Sequence, residues 1–373
     1  MRRWTKNINP KLAQIFIFII TMISKLKIID ASTVLAGPSV GMFFAELGAQ
    51  VIKIENPNFP DVTRSWKLAT EDKNNPVSSY FSSINYGKTY ISLDLKNPLE
   101  HSKFVDLIQN ADILLTNFKK GDDLKFNLTD ENLRKLNPKL IHGKISGFGI
   151  ESDRVAYDLI LQAESGFMSM NGTIESGPVK MPIALIDVLA AHQLKEGILL
   201  ALIDRMQTNL GKTVHVSLYD AAICSLVNQA SGFLMENVIP QRIGSLHPNI
   251  APYGEIFTTS DNQKITFAIG SDTHFLKLCH YLGLENLPEE NHFSTNQNRV
   301  VNRFQLFEIL QEKIQHFNSK NILEWMQNHF VPCGKIRDLK EVFDDDQAKS
   351  FIREEIIENI NTKRVSSIAF KSW

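Results

Sequence analysis

Leu26-Lys-Ile-Ile-Asp30, then Ala36-Gly37-Pro38, a helical stretch over 40–48, and Val51-Ile-Lys-Ile-Glu55 read in order as strand, turn, helix and strand. Both strand runs are short, apolar and β-branched, and the segment between them carries a helix-length crossover, so this is a βαβ unit. Working outward, further strands are expected over 89–95, 113–116, 140–146 and 214–217. Helical patterns over 100–110, 129–136 and 187–207 separate them, and another covers 219–237. Alternation of this kind predicts an α/β fold with a mostly parallel sheet covered on both faces.

The pattern changes near His247. A hairpin over 253–259 and 264–269 turns at Ser260-Asp-Asn-Gln263, followed by helices over 273–282, 301–317 and 322–329. This predicts a small separate unit in which Phe304, Phe307, Ile314 and Phe317 form a core stripe.

The whole chain has 373 residues, 43% of them hydrophobic and 22% charged, enough for a large core in two domains. Its 40 Lys and Arg against 41 Asp and Glu leave a net charge of −1, so no general field draws in nucleic acid or an anionic membrane. Cys224, Cys279 and Cys333 are widely spaced with no CxxC pair, which predicts free thiols in a reducing, cytoplasmic setting. The ten histidines contain no HxxxH or HxH pair, so no metal site is expected.

Residues 1–21 combine Arg2, Arg3, Lys6 and Lys11 with an apolar stretch over 12–22 that imitates a signal peptide. The stretch is too short to span a bilayer and lacks a small-x-small cleavage site, so translation starting at Met22, or else a disordered or partner-packing extension, is expected.

Gly37, Gly41 and Gly48 in the βαβ unit, with Glu55 closing its second strand, imitate a dinucleotide fold. The spacing excludes it, because the pyrophosphate needs G-x-G-x-x-G in a tight turn. A different feature carries chemistry: the apolar run Met181-Pro-Ile-Ala-Leu-Ile-Asp187 enters a helical pattern. A carboxylate at a strand-to-helix junction would be partly desolvated, with first-turn amides holding it ionised, as a nucleophile requires. An Asp helix cap is the alternative reading.

Val34-Leu-Ala-Gly-Pro38, Leu47-Gly-Ala-Gln-Val-Ile-Lys-Ile-Glu55 and Asp61-Val-Thr-Arg-Ser-Trp66 resemble the opening of the family III CoA-transferases, the CaiB/BaiF family. The likeness continues in register through Asn85-Tyr-Gly-Lys88, Asn117-Phe-Lys-Lys-Gly121, Ser146-Gly-Phe-Gly149, Tyr157-Asp158, Gln162-Ala163 and Val331-Pro-Cys-Gly334, covering about 24–347. The resemblance implies an interlocked homodimer whose subunit has a Rossmann-like large domain and a small α+β domain. On that pattern 22–218 form the large domain, 219–246 a helical linker, 247–330 the small domain, and 331–373 return to the large one.

It also implies residue roles. Asp187 stands at the position that takes the acyl group, and Asp158 where a second carboxylate arranges the reacting groups; capping its own helix is the other reading of Asp158. Val34, Leu35 and Ala36 would line the thioester end of a CoA tunnel. Asn117 would anchor a backbone or pantetheine amide, Phe118 would cover the adenine or else only pack, and Lys119, Lys120 and Lys125 would meet the phosphates, with Lys88, Arg64 and Arg154 either further cations or solvated surface charges. Coenzyme A and its thioesters are then substrates, with no tightly bound cofactor, and a small carboxylic acid is the other partner. A related racemase would place histidine before Asp158, where this chain has Tyr157. Ala191 and Asn209 at glycine positions and the short end at Trp373 admit a third reading, an inactive CoA-binding protein.

Overall fold

The computed structural model describes residues 22–370; the expected extension over 1–21 lies outside them. Of the described residues, 22–168, 180–239 and 350–370 form one compact unit, and 169–179 with 240–349 form a second.

In the first unit the elements run β1 (Lys27–Ala31), α1 (Ala36–Glu46), β2 (Gln50–Glu55), α2 (Ser79–Ile84), β3 (Lys88–Ser92), α3 (Pro98–Gln109), β4 (Ile113–Thr116), α4 (Asp130–Leu136), β5 (Ile141–Ser146), α5 (Asp158–Glu164), α6 (Leu185–Thr208), β6 (Thr213–Ser217), α7 (Leu218–Cys224) and α8 (Val227–Glu236). All six strands are parallel, in the order β3-β2-β1-β4-β5-β6. The period-2 geometry of strands sorts their apolar residues into two layers. Ile28, Val51, Ile113, Leu115 and Ile141 share a core with Val40 and Phe44 of α1 and Leu194 and Ile198 of α6. Ile29, Ile54 and Leu114 face the other way, onto Phe104 and Ile108 of α3 and Leu133 of α4. Gly197 lets α6 approach the sheet, because a Cβ there would lie 2.5 Å from Val214 Cγ1.

The strand order reverses between β1 and β4. In open α/β sheets the crevice at the carboxyl ends of such strands is where ligands bind. Here it is flanked by the loop from Ser32 to Leu35 and by the segment that starts at Asn117.

In the second unit β7 (Tyr253–Thr258) and β8 (Lys264–Ala268) form the expected hairpin, with α9 (Asp272–Tyr281), α10 (Arg303–Ile314) and α11 (Ser319–Asn328) following. The strand β9 (Cys333–Lys335) adds antiparallel to β8. That pairing keeps 331–349 with the second unit, so the return to the first falls at Ser350 rather than at 331. The core stripe also shifts. Leu306, Leu310 and Ile314 are the buried face of α10, and Phe304, nearly opposite on the helix, is 77% exposed. Phe307 and Phe317 pack against the core as half-buried rings.

Two other expectations change. The single helix over 219–237 is two, α7 and α8, broken at Ser225-Leu226. The end of the chain contributes a hairpin, β10 (Ile352–Ile357) and β11 (Ile360–Val365), closed by Glu358-Asn359 with φ of 49° and 66°. Two positive φ values in a two-residue loop match the right-handed twist of the strands. Its Ile357 and Ile360 pack on Val77, Phe81 and Tyr90, and Arg364 forms a buried ion pair with Glu46 of α1. Among the described residues no helix is long and apolar enough to cross a membrane.

Candidate active site

The crevice is built first from buried charge. Lys53 on β2 and Asp61 are 2.9 Å apart with both side chains fully buried, and Lys53 also donates to Ser32 O. Asp61 accepts from Thr63 N and Oγ1 and from Val34 N. Val34 has φ 72°, a left-handed conformation that costs a β-branched residue roughly 1–3 kcal/mol unless its surroundings hold it. Asn117, at the end of β4, closes the other side: Thr33 N donates to its Oδ1 and its Nδ2 donates to Thr33 O, each at 3.0 Å. The Asn117 amide therefore anchors backbone, with one bond at each end.

Several cations expected at CoA are already committed. Lys88 is buried, paired with Asp30 at 2.7 Å, and donates to Pro38 O and Asn85 Oδ1. Its burial pushes the ammonium down to about 8. Arg64 grips Glu55 and Glu358 and lies 3.8 Å over the Phe81 ring. Arg154 pairs with Glu164 at 2.6 Å and stacks on Phe148. Lys119 and Lys125 remain exposed beyond β4, and the 3.9 Å approach of Lys125 to Asp122 is too loose and too solvated to hold it. Lys120 donates to Glu151 O. Phe118 packs against Phe126 with ring centroids 5.9 Å apart, as part of the lower core.

The two carboxylates meet at the start of α6. Residues 181–184 are not a strand: Pro182 has no N–H, and Met181 N donates to Gln162 Oε1 instead of to a ladder partner. Asp187 is thus reached from a loop, as the third residue of α6, whose N-cap is Ala184. Asp158 is the first residue of α5, after its N-cap Tyr157, and it caps a different helix. Its Oδ1 accepts from Ile186 N at 2.7 Å, while its Oδ2 accepts from Gln162 Nε2 one turn along α5 at 2.6 Å.

This corrects the expected electrostatics of Asp187. The first-turn amide beside it is taken by Asp158, and the Asp187 carboxylate, 7% exposed, accepts no hydrogen bond among the described residues. Burial first, and then the Asp158 charge, push it up to about 7. A carboxylate in this state is poorly solvated and strongly basic for its kind, which makes it nucleophilic. Tyr80 stands in the same field. Its hydroxyl is pushed up to about 12 by burial and then by Asp187, Asp158 and Asp61, so it stays a neutral donor. Trp66 meets Tyr80 edge-on at 5.1 Å and Tyr157 at 6.4 Å.

A model of CoA-transferase family III matches residues 23–370. The chain belongs to that family. It is 35% identical over 334 residues to a succinate–glutarate CoA-transferase of Agrobacterium fabrum, covering 88% of this chain and 83% of that protein. A human succinyl-CoA:glutarate CoA-transferase is 30% identical over 328 residues, 86% of this chain and 73% of its own length. Among solved structures, a CaiB/BaiF family protein from Brucella suis superposes with a TM-score of 0.80 at 32% identity, covering 93% of this chain and 92% of that one.

As a family III CoA-transferase the chain departs from the family pattern without losing its backbone. Asn209, at a glycine position, and Asn127 adopt φ of 58° and 54°, the left-handed conformation asparagine tolerates. Ala191 is packed in the core beneath α1. Tyr80, the pairing of Lys53 with Asp61 and the bond from Gln162 to Asp158 were not singled out from sequence; the four-residue spacing of Asp158 and Gln162 on one helix was the signal that could have found the last of these.

Proposed function

We propose that this enzyme moves CoA between carboxylic acids through covalent intermediates on Asp187. The observation that carries the reading is the buried Asp187 carboxylate, free of hydrogen bonds among the described residues and raised to about 7, beside an Asp158 that is itself anchored on Ile186 N. The Asp187 oxygen attacks the thioester carbonyl, the C–S bond breaks, and CoA thiolate leaves a mixed anhydride. The thiolate then attacks the aspartyl carbonyl and expels the donor acid. An incoming carboxylate displaces CoA from the aspartyl thioester, and the thiolate attacks the new acyl group, regenerating Asp187 and releasing the new acyl-CoA. Each step conserves the thioester free energy as long as water is excluded.

In this reading Lys119 and Lys125 meet the CoA phosphates, Phe118 borders the adenine, and Val34, Leu35 and Ala36 border the thioester. Asp158 fixes the turn that carries Asp187, and its charge keeps that carboxylate basic. The relatives named for succinate and glutarate favour C4 and C5 dicarboxylates as donor and acceptor. Leu35, apolar where formyl-CoA transferase carries glutamine, fits an acyl chain rather than a very small polar group. The enzyme acts as a homodimer, which would cover Leu234, Met235, Val238 and Ile239, exposed by 61–79% on and beyond α8.

Asp187→Ala tests the assignment: succinyl-CoA-to-glutarate transfer should fall by at least about 10³-fold while the variant stays folded by circular dichroism. Transfer at the wild-type rate would reject Asp187 as the nucleophile.

A further inference from the structure

The stretch from Ser32 to Val34 is restrained at every step. Lys53 Nζ takes Ser32 O, Asn117 takes both Thr33 N and Thr33 O, and Asp61 takes Val34 N through both of its oxygens at 3.3 Å. Glycine would adopt φ 72° at no steric cost, yet this position holds valine and is secured by a fully buried ion pair. The segment leads directly into Ala36, which shares a core cluster with Ile186 and Ala190 on either side of Asp187. Asp61 also acts, together with Asp187 and Asp158, on the one tyrosine, Tyr80. The pair, the strained residue and the reacting carboxylate thus belong to one neighbourhood within one unit.

We propose that the Lys53–Asp61 pair is a positioning device for the acyl end of the site: it holds Val34 in its strained backbone and thereby sets where Leu35 and Ala36 stand against Asp187. This rests on the reading of Asp187 as the nucleophile. Neither Lys53 nor Asp61 touches substrate. Lys53 spans from β2 to the Ser32 carbonyl, while Asp61 is shared between Val34 and Thr63, so the loop is locked to the sheet on one side and to the turn Val62–Ser65 on the other. Removing one charge would leave the other buried and unpaired, so the two must be removed together.

The test compares Lys53→Met/Asp61→Ala with the same variant carrying Val34→Gly, using succinyl-CoA and glutarate. Without the pair, Val34 relaxes towards negative φ and the following residues move. The double variant should remain folded but lose about 10–100-fold in kcat, the scale of a misplacement near 1 Å, and should divert a larger share of turnovers to hydrolysis. Glycine at 34 can reach φ 72° unaided, so the triple variant should match the kcat and the ratio of transfer to hydrolysis of a Val34→Gly single variant, which accounts for the loss of the valine side chain from the thioester end of the site. A merely structural pair would lower thermal stability without moving that ratio. Wild-type kcat and partition in the double variant, or a loss that Val34→Gly leaves unchanged, would overturn the proposal. If the double variant does not fold, Lys53→Met/Asp61→Asn with and without Val34→Gly carries the same comparison with the same two outcomes. Hydroxylamine capture at Asp187 in the wild type separates the two readings: no capture rejects the nucleophile, whereas capture with no effect of the pair rejects only the positioning role.

Discussion

Burial and a neighbouring carboxylate act on Asp187 in the same direction, and both favour its protonated form. Its folded-state pKa near 7 is above that of a free aspartate, so the ionised fraction grows as pH rises and the attacking form is fully present only above neutrality. The kcat/KM for transfer should therefore rise along an acid limb centred near pH 7 and level off above it. Asp158→Asn removes the negative charge but keeps an acceptor for Ile186 N, so the limb should move to lower pH; a limb that stays in place would show that Asp158 does not tune Asp187. As a candidate, Asp187 was legible from its place after an apolar run together with the family motifs around it. Its environment was not, because the amide expected to hold it ionised belongs to Asp158, 29 residues earlier in the chain, a tertiary contact that no local pattern encodes.

At the scale of elements, the parallel strands were legible because they are buried on both faces and read as continuous apolar runs. The hairpin of β10 and β11 was not. Its core-facing Ile357 and Ile360 are set among Arg353, Glu354, Glu355, Lys363 and Arg364, which blur the alternation. Charge is what fastens it: Arg364 and Glu46 pair with both side chains 3% exposed, and Glu46 also accepts from Ser366 Oγ and Ser367 N. Replacing Arg364 with methionine leaves Glu46 buried without its cation, which should cost about 3–5 kcal/mol by urea unfolding. A loss below 1 kcal/mol would mean that apolar packing alone docks the hairpin. The misplaced Phe304 has a related origin: aromatic residues three apart suggested a stripe, but the helix buries Leu306, Leu310 and Ile314 in the cluster that holds Phe257 and Ile265.

Across the whole molecule, the order β3-β2-β1-β4-β5-β6 places the reversal between β1 and β4, and the residues that tie its two loops together, Thr33 and Asn117, sit at its mouth. On α8 and just beyond it, Leu234, Met235 and Val238 are exposed by 61–79%. In light-scattering chromatography the protein should run at twice its 42.3 kDa mass, and Leu234→Asp/Met235→Asp should shift it to the monomer. A monomeric wild type would contradict the dimer.

The covalent role of Asp187 is tested most directly by trapping. Incubation with succinyl-CoA and hydroxylamine, followed by peptide mass spectrometry, should convert Asp187 to its hydroxamate, only when the thioester is present, with loss of transfer activity in step. Full inactivation with Asp187 unmodified, or turnover that continues undiminished in the presence of hydroxylamine, would contradict the account.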